Sequence, residues 1–386
     1  IVIVPTVSLA LDHVQGLQKM PGLSGCRALT GATTLKERQE IEVQFARGDI
    51  PLLIMNPETA FHSAGPLIQQ VCLPREERLG EARGILAAIF IDEAHIIETW
   101  GRTFRPDFQR LISLVSTLRI SNPALRVVLL SATIGSSGRQ HLRMDYGSSG
   151  PFLELHARVA RYEIDIFVQK YAQEAQRDRV LFDILDRLPR PLIIYTTLRA
   201  KARSIEQTLR SHGHRAIALF TGDTGPGERD TIIRQWRNDE LDIVVATSAF
   251  GMGIDKPNVR AVVHACLPED AARYYQEIGR GGRDGHRAIA ICLWTEDDAT
   301  QAERMGTQDW LGERKCEERW RRIVEVCQST DASTVLASGN FRYTVDLNIA
   351  PRRLGPHTGQ HNRGWNRSLL NLMQRAGAVR VFRVNE

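Results

Sequence analysis

Short, nearly unbroken runs of Val, Ile and Leu recur along the chain, separated by stretches whose apolar residues repeat at helical spacing. The runs occupy residues 1–4, 52–55, 87–91, 127–130, 192–195, 216–219, 243–245, 261–264 and 288–293. A strand covered on both faces reads as a continuous apolar run, and strand–helix alternation implies parallel sheets. The pattern therefore predicts an α/β protein. Several runs end abruptly in polar residues: Asp92-Glu93-Ala94-His95, Ser131-Ala132-Thr133 and Ala246-Thr247-Ser248. In parallel α/β sheets ligands bind beyond the carboxyl ends of the strands, so polar residues there are placed for chemistry.

The alternation breaks at residues 135–151, where Gly and Ser cluster, and fades again after residue 293. These breaks predict a first lobe over 1–157, a second over 158–298 and a C-terminal accessory region over 299–386. In that last region residues 310–328 and 365–375 read as helices, the latter stopped at Gly377 and followed by an alternating strand at 379–384. The ending reads either as the recognition helix and wing of a winged-helix element or as a plain packing helix and strand.

The 386 residues are 42% hydrophobic and 25% charged, an ordinary globular composition. No apolar run approaches the ~18 residues that cross a bilayer, and no signal-peptide pattern opens the chain, so no membrane partner is expected. The first residues read as a buried strand without a preceding Met, which predicts a piece of a longer polypeptide. Net charge is +5, carried by 44 Arg against 6 Lys, a balance that permits bidentate phosphate contacts. None of the six cysteines forms a Cys-x-x-Cys pair, which argues against zinc and suits a reducing cytoplasm.

Two adjacent carboxylates after a hydrophobic strand suit nucleotide hydrolysis. Asp92 would serve a metal, and Glu93 would orient or deprotonate the attacking water. Arg280 and Arg283, three apart, would share a face if their segment is helical and could span phosphate oxygens. Gly279, Gly281 and Gly282 weaken a helix there, so the turn is expected to be irregular. Trp100 and Phe104 offer rings for base stacking, and Arg102 and Arg105 offer phosphate contacts, although packing in the core is where most such rings go. Gly251 and Gly253 would let the backbone approach a ligand, and Asp255 would accept a ribose hydroxyl or cap a turn.

These stretches stand in a familiar order. Asp92-Glu93-Ala94-His95 resembles motif II, the DEAH box, of superfamily 2 helicases. Trp100-Gly101-Arg102-Thr103-Phe104-Arg105-Pro106 is similar to the aromatic-rich loop of RecQ-like enzymes, with Arg102 where His is usual. Pro5-Thr6-Val7-Ser8-Leu9 resembles motif Ia, and Asn56-Pro57-Glu58 motif Ib. Ser131-Ala132-Thr133 resembles motif III, and Ile194-Tyr195 with Arg199-Ala200-Lys201 motif IV. Residues 247–258 resemble motif V, and residues 276–285, beginning Gln276-Glu277, motif VI. The likeness implies two tandem RecA-like lobes, the first incomplete, with a small C-terminal α+β domain. It further implies Mg²⁺ and ATP in a cleft between lobes, and a DNA motor moving 3′ to 5′ on single strands and duplex junctions. By resemblance, His95 and Gln276 join the catalytic set, and Ser131 and Thr133 couple ATP state to lobe movement. Arg283 is the first choice of arginine finger and Arg280 the second, with Gly253 and Asp255 at the nucleotide. Thr6, Ser8, Asn56, Thr221 and Thr247, with the aromatic-rich loop, would touch DNA.

No Gly-x-x-x-x-Gly-Lys-Ser/Thr occurs, and none of the six lysines follows a glycine. Such a loop supplies most of the grip on the β- and γ-phosphates. The expectation is that this chain by itself hydrolyses ATP poorly while its parent does so well. A non-catalytic nucleic-acid-binding scaffold and an RNA helicase are the rival readings.

Overall fold

The computed structural model describes residues 1–73, 83–99, 107–147, 150–157, 161–251, 254–307, 313–329, 333–335, 341–350, 359–375 and 378–379. They divide into two compact units, Ile1–Phe152 with Asp309–Glu386, and Leu153–Gln308.

In the first unit the strands are β1 (Val2–Ile3), β2 (Arg27–Leu29), β3 (Leu53–Met55), β4 (Ala88–Ile91) and β5 (Arg126–Leu129). They form one sheet in the order β2-β3-β1-β4-β5, and every pairing is parallel. The helices beside them are α1 (Val7–Leu17), α2 (Leu35–Arg47), α3 (Pro57–His62), α4 (Gly65–Cys72), α5 (Ile96–Thr99), α6 (Asp107–Ser121) and α7 (Ser136–Gly147). Their starts are written locally. Thr34 and Glu37 close a reciprocal capping box on α2, which ends at Gly48 with φ 89°. Thr6 caps α1 and Asn56 caps α3 through their side chains.

In the second unit the strands are β6 (Ile164–Lys170), β7 (Leu192–Tyr195), β8 (Ile217–Phe220), β9 (Ile243–Ala246), β10 (Ala261–His264) and β11 (Ala288–Trp294). They also pair in parallel throughout, in the order β6-β11-β10-β7-β9-β8. Helices α8 (Glu174–Leu185), α9 (Arg199–Ser211), α10 (Pro226–Arg237), α11 (Ala271–Ile278) and α12 (Glu296–Thr307) complete it. Strands β7, β9 and β10 are buried at every position, which is why their sequences are unbroken apolar runs.

Within each sheet the winding reverses once, beside β1 in the first unit and beside β7 in the second. Such switch points open a crevice at the carboxyl ends of the strands. The residues after β4, and those ending β7 and β10, lie at these points.

The C-terminal residues contribute α13 (Glu313–Ser329), an antiparallel pair β12 (Ser333–Val335) and β13 (Phe341–Tyr343), and α14 (Gly359–Arg375). Helix α14 begins six residues ahead of the predicted 365 because its early inward face is polar. Asn362 and Asn366 are buried and accept hydrogen bonds from Arg319, so no apolar period announces the first turns. The strand expected over 379–384 lies, beyond residue 379, outside the described residues. Two strands gave weak signals: β2 is three residues long with an Arg, and β6 is an edge strand exposed at all but its first position.

Trp236 is fully buried in the second unit, its ring 6.0 Å from that of Phe250 and 5.2 Å from the Lys256 ammonium. Trp236→Ala is expected to destabilise this unit by about 3–5 kcal/mol in urea unfolding. Trp236→Phe should cost clearly less, because the indole N–H makes no hydrogen bond that the change would orphan.

Candidate nucleotide and nucleic-acid site

The polar residues after β4 form a tight constellation. Asp92 N–H donates to Ile3 O at 2.9 Å, which fixes the residue against the end of β1. Its Oδ1 accepts from the Glu93 N–H at 2.9 Å, and its Oδ2 lies 3.1 Å from His13 Nε2. Glu93 adopts φ 51°, a left-handed conformation uncommon for a residue with a side chain. Strain of this kind persists where the surrounding structure over-determines it, and it clusters at functional sites. Here the determinants are visible: Ala94 N–H bonds Leu130 O, and Ile96 N–H bonds Glu93 O.

The Glu93 carboxylate is held beside His95, with Oε2 3.2 Å from Nδ1. The contact is an ion-pair distance without hydrogen-bond geometry, and Oε2 is buried with no hydrogen bond of its own. His95 Nδ1 also lies 3.1 Å from Ser131 Oγ, which donates to Thr133 O at 3.0 Å. The residues read as motifs II and III thus meet in one chain of contacts from Glu93 through His95 to Thr133.

An Mg²⁺ ion takes one or two carboxylates and completes its shell with phosphate and water. Asp92 supplies one carboxylate, and the orphaned buried oxygen of Glu93 is suited to accept from a water. Among the described residues no group of three or more His, Cys, Asp or Glu could hold a metal by itself. With Asp92 as its one protein carboxylate, the donor set fits an Mg²⁺ carried by a nucleotide. His13, on α1, was not anticipated from the sequence. The hydrogen bond to Asp92 lifts its pKa above the ordinary 6.5 against the opposing effect of burial. His13 stands four residues beyond the Pro5–Leu9 stretch, and no local pattern marks it.

The expected phosphate contacts fall into distinct environments. Thr6 accepts from Leu9 N–H and Asn56 from Thr59 N–H, so both side chains are engaged as helix caps. Ser8 is exposed on the first turn of α1. In the second unit Thr221 and Thr247 are 2% and 7% exposed, and the Thr221 hydroxyl accepts from Asp223 N–H. Trp100, Arg102, Phe104 and Arg105 lie outside the described residues, as does Gly253.

Arg280 and Arg283 do not share a helix face. Helix α11 ends at Ile278 with Gly279 as its cap, and the following residues form turns. Gly282 has φ 62°, and a Cβ there would lie 2.6 Å from His286 O. Arg161, which sequence reasoning missed, donates to Gly279 O at 3.2 Å and Gly281 O at 2.9 Å, pinning the turn. Arg280 reaches Ile254 O at 3.4 Å, and a Cβ on Gly251 would come within 3.4 Å of its guanidinium. Arg283 donates to Asp255 Oδ1 at 2.5 Å, so two residues predicted to hold nucleotide engage one another. Gln276 is half-buried on α11.

Behind this turn lies a buried polar core. His264, which ends β10, is fully buried, with Nε2 2.8 Å from Glu277 Oε2. Its ring stacks on Tyr195 at 5.2 Å and meets Tyr274 edge-on at 5.0 Å. Arg273 Nε donates to Glu277 Oε1 at 3.0 Å and reaches back toward Ser248 O at 3.4 Å. Helix α11, with Gln276 beside Glu277, is thereby fastened to both the β10 end and the motif V loop.

Burial pushes the Glu277 carboxyl up, but its hydrogen bond and charge contact with His264, and the charges of Arg273 and Arg280, outweigh it. Its pKa lies below the ordinary 4.5. The unfolded chain then binds the extra proton first, so this contribution is complete above 4.5 and lost as pH falls through the folded value. Glu277→Gln should accordingly be less stable than the wild type near neutral pH. The gap should close in denaturant titrations carried below pH 4.5.

Comparison with known proteins comes to the same place. Residues 1–141 match the model of the DEAD/DEAH box helicase family, and residues 176–285 that of the helicase conserved C-terminal domain. The chain is 32% identical over 321 residues to the ATP-dependent DNA helicase Q-like 4B of Arabidopsis thaliana, covering 81% of this chain and 26% of that protein. It is 31% identical over 306 residues to the probable ATP-dependent DNA helicase RecS of Bacillus subtilis, covering 79% and 58% respectively. It thus spans from about a quarter to little more than half of these relatives' lengths. The fold is similar to DUF1998 helicase MrfA bound to DNA and AMPPNP (TM-score 0.60, 17% identity, 91% of this chain and 54% of that one). It is also similar to S. cerevisiae Dbp5 bound to RNA and ADP BeF3 (TM-score 0.56, 21% identity, 80% and 74%). Both lobes therefore have the RecA-like helicase architecture, and the chain belongs to the superfamily 2 helicases, where its sequence is RecQ-like.

Proposed function

We propose that this chain is the greater part of an ATP-driven DNA motor that moves 3′ to 5′ along one strand and separates duplex at junctions. The observation that carries its ATP-driven part is the Asp92–Glu93 turn, with a left-handed Glu93 whose buried oxygen makes no hydrogen bond. A carboxylate in that condition is prepared to accept from a water rather than to stabilise the fold. Bound Mg-ATP would supply the phosphoryl group that is transferred. Asp92 would hold the cation, Glu93 would orient the water, and His95 with Ser131 and Thr133 would pass the change onward. The second unit would contribute Arg280 and Arg283 as counter-charge to the phosphates, Arg283 exchanging Asp255 for phosphate. The curated relatives are named DNA helicases, which favours DNA over RNA.

The test uses the chain of residues 1–386 and a longer polypeptide that also carries a Gly-Lys-Ser/Thr loop. The shorter chain should bind single-stranded DNA more tightly than matched RNA but show little ATP turnover, since the phosphate-wrapping loop is not in its sequence. The longer one should hydrolyse ATP on adding DNA. Glu93→Gln in it should cut turnover by at least about a hundredfold while leaving DNA affinity intact. Stimulation by RNA alone would make the protein an RNA motor. DNA binding without turnover in the longer polypeptide would make it a scaffold.

A further inference from the structure

The C-terminal part of the first unit, which neither family model reaches, sends one arginine to the start of α6. Arg367, on α14, donates through Nη2 to both oxygens of Asp107, at 2.7 and 2.8 Å, across 260 residues of sequence. Asp107 opens α6 and is 2% exposed. Arg110, one turn along α6, donates to its Oδ1 at 2.9 Å and lays its guanidinium 4.2 Å from the centre of the Phe61 ring. His62 Nε2 stands 3.8 Å from Oδ2. Phe61 and His62 are the last residues of α3, whose first turn is capped by the motif Ib residue Asn56. In sequence, Asp107 directly follows the aromatic-rich segment 100–106.

Without Arg367 this deeply buried carboxylate would be left to Arg110 and His62, and a buried charge that loses part of its compensation is costly. An acidic residue in the first turn also complements the helix dipole, so the start of α6 and the charge cluster depend on each other. Helix α14 is itself held firmly from the other side. Leu369 and Met373 pack against Ile323 and Cys327 of α13, and Arg319 stacks on Trp365 at 4.5 Å while bonding Asn362 and Asn366. Arg367 is therefore presented by an anchored helix.

We propose that Arg367 is a positioning residue for the nucleic-acid-binding face of the first unit. Through Asp107 it fixes the start of α6 and the end of α3, so the C-terminal region forms part of the DNA grip without touching DNA. This rests on the translocase reading above, in which motif Ib and the aromatic-rich segment meet DNA.

The experiment compares residues 1–386 unaltered, Arg367→Ala, Arg367→Lys, and Arg321→Ala as an exposed control on α13. Hydrogen–deuterium exchange and anisotropy of labelled single-stranded DNA are read on each. Arg367→Ala should speed exchange at residues 57–62 and 107–111 and leave α1 unchanged. It should also weaken DNA binding by roughly three- to thirtyfold, the range carried by remote positioning residues. Arg367→Lys keeps the charge but not the reach and planar shape of the guanidinium, and should fall between. Faster exchange throughout the unit, α1 included, would reduce Arg367 to a general stabiliser and overturn the inference. Unchanged DNA affinity in Arg367→Ala, with the unaltered chain binding normally, would overturn it alone and leave the translocase reading standing. Failure of the unaltered chain to bind DNA would bring down the translocase reading, and this inference with it.

Discussion

The parallel direction of every strand in both sheets is the constraint from which the rest follows. When all strands point one way, all their carboxyl ends emerge at one edge, and only the points where winding reverses leave that edge open. Beside β1 and beside β7 the chain must pass from a dry apolar strand to solvated groups within one or two residues. The first unit does so with Asp92-Glu93, whereas the second keeps its polar groups dry and paired in the Tyr195–His264–Glu277 core. Helix starts, arginine positions and glycine placements are adjustments around these two openings.

Much of this was legible because strands buried on both faces write themselves as uninterrupted Val, Ile and Leu. Residues 192–195 and 261–264 are strands with the predicted bounds. What stayed hidden was whatever departs from that rule. Edge strand β6 is open on both faces and so lacks the signature, and the first turns of α14 turn asparagines inward to serve Arg319. The same logic divides the site. Asp92, Glu93 and His95 stand next to a recognisable strand, so local sequence marks them. Arg161 and His13 act from elsewhere in the chain through tertiary contacts that no local pattern encodes.

Several residues that look like ligand contacts in sequence also carry local duties. Thr6 and Asn56 cap helices, and Asp255 pairs with Arg283. Substituting such residues removes a cap or a buried partner as well as any contact with substrate. Loss of binding on mutation of Thr6 or Asn56 is therefore ambiguous unless helix stability is measured beside it.

The edge strand β6 has a bearing on how the molecule behaves in bulk. It carries Ile166, Phe167 and Val168 at 50%, 58% and 58% exposure, and Leu153 and Leu155 precede it at 81% and 86%. A free strand edge dressed with apolar side chains is a template for another strand to join. Asp165 and Lys170, near its two ends, are the kind of charge that discourages such joining. Asp165 and Lys170 thus serve the solubility of the second unit as well as its ion pairs with Arg287 and Glu296.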